Sequence, residues 1–163
     1  MDNQFDNFIN VLKAFDEFQV EYILIGGVAL VLHGMERLTR DVDIFVRNES
    51  KNIERLQNAL QSVFQDESIN EITMKELNKY SVIRYGTPMG FNIDLISKIG
   101  KAFSFEDLAF EIINHQNITI RIATPETLLK LKKDTIRERD KIDSLFLKEL
   151  IHSKKKKKNN RGN

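Results

Sequence analysis

The chain contains no cysteine. Disulfides, zinc–thiolate centres and thiol nucleophiles are therefore excluded, and the absence fits a cytoplasmic protein. Long apolar runs are missing too. The longest, Tyr22 to Leu32, is about half what a membrane helix requires. The first residues, MDNQFDNF, have no basic segment followed by an apolar one, so no secretory signal is expected. A large net charge is also lacking, at +1, but the balance is uneven. Of the 25 Lys and Arg, six fall at Lys154 to Lys158 and Arg161, leaving 19 against 24 Asp and Glu. Residues 153–163 read as a disordered, solvated tail; the other reading is an RNA-binding arm. What remains, about residues 1–152, has the length of one domain, and 41% apolar with 30% charged residues is a soluble globular balance. No internal repeat is visible.

Periodicity orders the elements. Phe5, Phe8, Ile9, Leu12 and Phe15 recur at helical spacing and predict an amphipathic helix over residues 4–18. Tyr22 to Ile25 is a short β-prone run that stops at Gly26-Gly27. Val28 to His33 predicts a helix ended by Gly34. Beyond a polar connection, Asp41 to Ile44 alternates acid and apolar residues with the period of a strand, which runs on to Val46. Asn48 or Ser50 caps a helix reaching about Phe64, with Ile53, Leu56, Leu60 and Phe64 on one face. Ile69 to Thr73 is expected to be a short strand. Tyr80 to Tyr85 and Phe91 to Ile96 form a hairpin about the turn Gly86 to Gly90. A helix is expected over Phe105 to Ile113 and a strand over Ile118 to Ile122. Thr124-Pro125 starts a helix, with the threonine as N-cap, and the chain stays helical to about Ile151 with a break near Asp134. The class is α/β (α+β): a mixed sheet flanked by helices, with a helical C-terminal part over about residues 125–152.

Three features carry chemistry. Gly26-Gly27 sits at a strand-to-helix junction, where glycines let the backbone approach a ligand and helix N–H groups face it. A triphosphate suits such a place; so does a tight turn with no ligand. In Asp41-Val42-Asp43-Ile44, residues i and i+2 share a strand face with Cα atoms roughly 6.5–7 Å apart. Two carboxylates there can grip metal ions, or can face solvent on an edge. Asp is depleted in strands, so two in one strand need a reason. Asp94 lies among Ile93, Leu95 and Ile96, and must face water or meet a cation. If its strand lies beside that of Asp41, three carboxylates converge, and oxygen ligands suit Mg²⁺ or Mn²⁺.

The order Gly-Gly, thirteen residues, Asp-Val-Asp-Ile, then a later apolar-Asp-apolar strand resembles the nucleotidyltransferase superfamily that includes DNA polymerase β. Gly26-Gly27-Val-Ala-Leu, then Gly34 and Arg37-Leu-Thr39-Arg40-Asp41-Val-Asp43-Ile44, resembles its small prokaryotic branch of AbiEii-like toxins and minimal nucleotidyltransferases. Thr124 to Leu129, Lys132 and Arg139-Asp140-Lys-Ile-Asp143 look like the helical segment that closes those domains. The resemblance spans about residues 22–146. It implies that Asp41 and Asp43 bind the catalytic metal ions and that Asp94 is the third carboxylate. It also places Gly26 and Gly27 against the nucleotide and makes Lys132 a phosphate or nucleobase contact. Many members carry a serine or threonine just after the first glycines; here Val28 has no hydroxyl.

Other residues divide between roles. Arg37 and Arg40 either neutralise a triphosphate or pair with Asp41 or Glu36. His33 reads as structural. Asp140 and Asp143 share a helix face and are expected to pair with Lys or Arg. Phe91 lies near the proposed site, where base stacking is one role for it. The implied activity is transfer of an NMP from an NTP to a hydroxyl of RNA, protein or a small molecule, with a toxin–antitoxin role at family level. The alternative is a catalytically idle nucleotide- or partner-binding member of the same fold.

Overall fold

A computed structural model describes residues 3–99, 103–132 and 138–161. In chain order the elements are α1 (Gln4–Glu17), β1 (Tyr22–Ile25), α2 (Gly26–Leu32), β2 (Asp41–Val46), α3 (Ser50–Phe64), α4 (Met74–Lys79), β3 (Ile83–Gly86), β4 (Asn92–Ile96), β5 (Lys98–Ile99), β6 (Phe103–Ser104), β7 (Phe110–His115), β8 (Ile118–Ala123), α5 (Pro125–Lys132) and α6 (Glu138–Arg161). Six strands form one mixed sheet in the order β3-β4-β2-β1-β8-β7, while β5 and β6 make a small separate ribbon. Among the described residues no helix is long and apolar enough to cross a membrane.

One sheet face is closed by α1 and α3. Phe8, Ile9, Leu12 and Phe15 of α1 and Ile53, Leu56 and Leu60 of α3 are buried there. Phe15 packs on Tyr22 of β1, and Phe64 packs on Tyr85 of β3, so these two strands mark the same face. The α1 helix starts at Asn3, whose Oδ1 accepts from the Phe5 N–H. On α3 the cap position falls to Glu49 without a side-chain bond, and Asn48 instead donates to Asn78 Oδ1 and the Met74 carbonyl. Asn52, buried on α3, donates to the Glu21 and Arg47 carbonyls and accepts from the Glu21 N–H. It ties the start of β1 to the end of β2.

Several expectations are corrected. The segment expected to be a strand over Ile69 to Thr73 is a 3-10 turn, Glu67–Glu71, followed by α4. Ile69 and Ile72 are buried at i and i+3, a helical rather than a strand spacing, and Thr73 caps α4 through Oγ1. The helix expected over Phe105 to Ile113 is a short 3-10 turn, Phe105–Asp107, leading into β7. Asp107 folds back on Ser104 in a capping box, and the β-branched run then pairs antiparallel with β8. The two-residue loop Gln116-Asn117 has both φ angles positive, at 50° and 65°, as a type I′ hairpin needs. Without the usual glycine, that turn is hard to see in sequence. Residues 154–161, expected to be disordered, continue α6 as helix. Lysine is a good helix former, and extending a helix already seeded costs little. The break expected near Asp134 lies outside the described residues.

Candidate active site

The parallel pairing of β2 with β4 sets the site. Asp43 stands opposite Asp94, and Asp41 opposite Asn92. Residues in register on neighbouring strands leave by the same face, as do i and i+2 of one strand. Asp41, Asp43 and Asp94 thus share the face turned away from α1 and α3. They line one cleft of about 660 Å³ together with Gly26, Gly27, Arg37, Arg84, Lys132 and Asp140. Val42 and Ile44 point the other way and are fully buried.

The glycine pair is required by the protein itself. Gly26 has φ +72°, and a Cβ on it would lie 2.0 Å from Asp43 Oδ2. A Cβ on Gly27 would lie 2.6 Å from Thr39 Oγ1. The close approach expected of a triphosphate is thus also made by two side chains from around β2. Val28, the position without a hydroxyl, is fully buried in the core. Gly26→Ala is expected to combine a left-handed backbone penalty of about 1–2 kcal/mol with displacement of the Asp43 carboxylate. A melting curve should shift down by roughly 4–8 °C for a total of about 2 kcal/mol, and nucleotidyl transfer should fall with it. An unaltered melting temperature and rate would contradict this account of the glycine.

Charge accumulates around Asp43. Its carboxyl is pushed up to about 6 from 3.8, first by burial, then by the charge of Asp94, a hydrogen bond with Asp94 and the charge of Asp41; Lys132 pulls it the other way. Asp94 is held by Arg84 on the neighbouring strand. Arg84 Nε donates to Asp94 Oδ1 at 2.9 Å and Nη2 to Oδ2 at 3.1 Å, a bidentate fork. The same Nη2 lies 3.8 Å from Asp41 Oδ2. Asp41 Oδ1 also accepts from the Asn92 N–H at 3.3 Å.

A second charged layer closes the cleft from the C-terminal helices. Lys132 Nζ donates to Asp140 Oδ1 at 2.8 Å and lies 3.0 Å from Asp143 Oδ2. Asp143 also accepts from Arg37, so the loop before β2 is tied to α5 and α6. Arg37 thus pairs with Asp143 rather than with Asp41 or Glu36, while still lining the cleft, and Asp140 and Asp143 pair with cations as expected. Arg40 is exposed and lines a smaller adjoining cleft of about 320 Å³ with Arg37, Leu38, Thr39, Asp41 and Asp43. The two clefts meet at the acids of β2. Phe91 is buried between Phe8 and Phe64 on the opposite face, which removes it from base stacking. His33 Nε2 lies 2.9 Å from the Ala123 carbonyl, a structural contact.

Arg84 is a site residue that the motifs do not single out, although a signal exists. The hairpin β3–β4 is symmetric about Met89, which places Arg84 opposite Asp94. Among the described residues no group of three or more Asp, Glu or His side chains is arranged to hold a metal ion. Both oxygens of Asp94 are engaged by Arg84. The donor chemistry nevertheless suits a hard divalent cation: oxygen atoms only, on one wall, with mutual repulsion that a cation relieves.

Comparison with known proteins follows the same direction. Residues 10–146 match the family described as nucleotidyl transferase AbiEii toxin, type IV toxin–antitoxin system. No curated protein matches the chain. The solved structure of the lincosamide antibiotic adenylyltransferase LnuA, with lincomycin bound, is similar at a TM-score of 0.60 and 19% identity, over 89% of this chain and 96% of that one. A nucleotidyltransferase-like antigenic protein from Paracoccidioides brasiliensis is similar at a TM-score of 0.53 and 16% identity, over 86% of this chain and 73% of that one. At such identities the likeness is one of fold, and the mixed sheet with its flanking helices is a nucleotidyltransferase fold. The family match covers most of the chain: the protein belongs to the AbiEii nucleotidyl transferase family and is a nucleotidyltransferase.

Proposed function

We propose that the protein transfers an NMP from an NTP to an acceptor hydroxyl, with Mg²⁺ or Mn²⁺ bound by Asp41, Asp43 and Asp94. The observation that carries this reading is the register of Asp43 with Asp94 on parallel strands, with Asp41 two residues away on the same face. Divalent ions held there supply the charge that stabilises the incoming and leaving oxygens at the α-phosphorus. The acceptor oxygen bonds to that phosphorus, the bond to the β-phosphate oxygen breaks, and pyrophosphate leaves. Asp94 takes the hydroxyl proton. Lys132, held between Asp140 and Asp143, and Arg40 in the adjoining cleft offer positive charge to the phosphates. Gly26 and Gly27 line the same cleft and add no side chain of their own to it.

The acceptor hydroxyl belongs to RNA, a protein or a small molecule. The exposed lysines at the end of α6 favour an anionic macromolecule. The LnuA likeness keeps a small-molecule acceptor as the contrasting arm of the test. A role as the toxin of a type IV pair accords with the family, and a cytoplasmic setting accords with an NTP donor.

The test uses α-³²P-labelled ATP, CTP, GTP and UTP with Mg²⁺ and each acceptor class in turn. Label should move to one class in the wild-type chain and fail to move in Asp41→Ala with Asp43→Ala. The second reading, an idle binding member, draws on Val28 and on the occupation of Asp94 by Arg84. Nucleotide binding without transfer to any acceptor would select it.

A further inference from the structure

Arg84 occupies the place where a cation is needed. It forks onto Asp94 and reaches toward Asp41, yet its own side chain is 60% exposed while that of Asp94 is 10% exposed. The pair is therefore lopsided. For the arginine itself, leaving costs little, because its side chain is already largely in solvent. For Asp94, losing the arginine with nothing in exchange strands a largely buried carboxylate beside Asp43, which is expensive. Such a partner departs only when another cation arrives. Arg84 also has somewhere to go. It lines a neighbouring cleft of about 750 Å³ as well as the acid cleft, and Glu71 and Glu76 line the former. The β3 strand that carries it is an edge strand, so no further strand restrains it.

We propose that Arg84 is a built-in counter-ion of the resting site, exchanged for a divalent ion when the site is loaded. Resting on the reading of Asp41, Asp43 and Asp94 as metal ligands, this makes Arg84 a positioning residue. Its fork holds the Asp94 carboxylate aimed into the cleft, and it competes with metal that arrives without nucleotide. The exchange explains why the three carboxylates share a wall without forming a ready cation cage. An arginine head suits phosphate as well as carboxylate, so a nucleotide arriving with its ion gives the displaced guanidinium a new partner.

Mn²⁺ binding to the full chain without nucleotide, read by electron paramagnetic resonance, tests the exchange. Arg84→Met removes the competitor and should tighten Mn²⁺ binding at least fivefold, with Arg84→Lys in between. Introducing Asp94→Asn should abolish the difference between the wild-type and Arg84→Met chains. An arginine that merely braces the sheet edge would lower the melting temperature of Arg84→Met and leave Mn²⁺ affinity unmoved; that result, or weaker binding, overturns the proposal. Should Arg84→Met fail to fold, Arg84→Gln serves the same comparison. Equal Mn²⁺ binding by wild type and variant refutes the exchange alone. Absence of Mn²⁺ binding in both refutes the metal reading of the acids, and the exchange with it.

Discussion

Asp43→Asn will cut nucleotidyl transfer severely and at the same time stabilise the metal-free protein at neutral pH. The loss of rate should be about 10²–10³-fold, the scale on which removing one charge-stabilising group from a reaction centre acts. The gain in stability follows from linkage. Asp43 holds its proton more tightly folded, at about 6, than unfolded, at 3.8. Below about pH 4 both states carry the proton and Asp43 imposes no penalty. As pH rises from about 4 to 6 the unfolded chain releases the proton while the folded one retains it, so stability falls. Above about 6 the penalty is constant, at most about 3 kcal/mol for a shift of this size. Asparagine keeps the shape and has no such charge. The melting temperatures of wild type and Asp43→Asn, in chelator, should therefore converge near pH 4 and separate by several degrees above pH 6. Adding Mg²⁺ should raise the wild-type value and leave the variant's nearly still. A variant less stable than wild type at pH 7.5 without metal would contradict the crowding of charge described for this site.

Asp143→Ala should be the most damaging substitution outside the carboxylate row. Its side chain is 1% exposed and serves both Arg37 and Lys132. Removing it leaves two cations with one partner fewer in a poorly hydrated layer, a loss of about 3–5 kcal/mol. For a domain of this size the melting temperature should drop by about 10 °C or more. The loop before β2 would also lose its tie to α6, so transfer should weaken even where the protein remains folded. Arg37→Met in the Asp143→Ala background should restore part of the stability, because it removes one of the two cations that Asp143 had paired. Additive losses from the two substitutions, with no recovery, would show that Arg37 and Asp143 act independently.

Particular residues mark how far the sequence can be read. Phe8, Leu12 and Phe15 announce α1 because a helix repeats every 3.6 residues, and the acid–apolar alternation at Asp41 to Ile44 announces β2 because a strand repeats every two. The hairpin of β3 and β4 is readable from its glycine turn. By contrast β7 reads as helix. Short apolar runs suit either period, and the Gln116-Asn117 turn lacks the glycine that marks most two-residue hairpins. Asp140 and Asp143 are legible as a pair on one helix face, whereas their partners are not. Lys132 lies eight residues from Asp140, and Arg37 is 106 residues from Asp143.

By itself the sequence determined the local periods, the absence of thiol chemistry, and the three acids and two glycines worth placing together. Only the tertiary structure decided that β2 lies parallel to β4 with Asp43 opposite Asp94, that Gly26 makes room for Asp43, and that Arg84 forks onto Asp94. The reason is physical. Helix and strand periods are properties of neighbouring residues, whereas strand register across 51 positions and the neutralisation of buried charge are settled by packing the whole sheet at once.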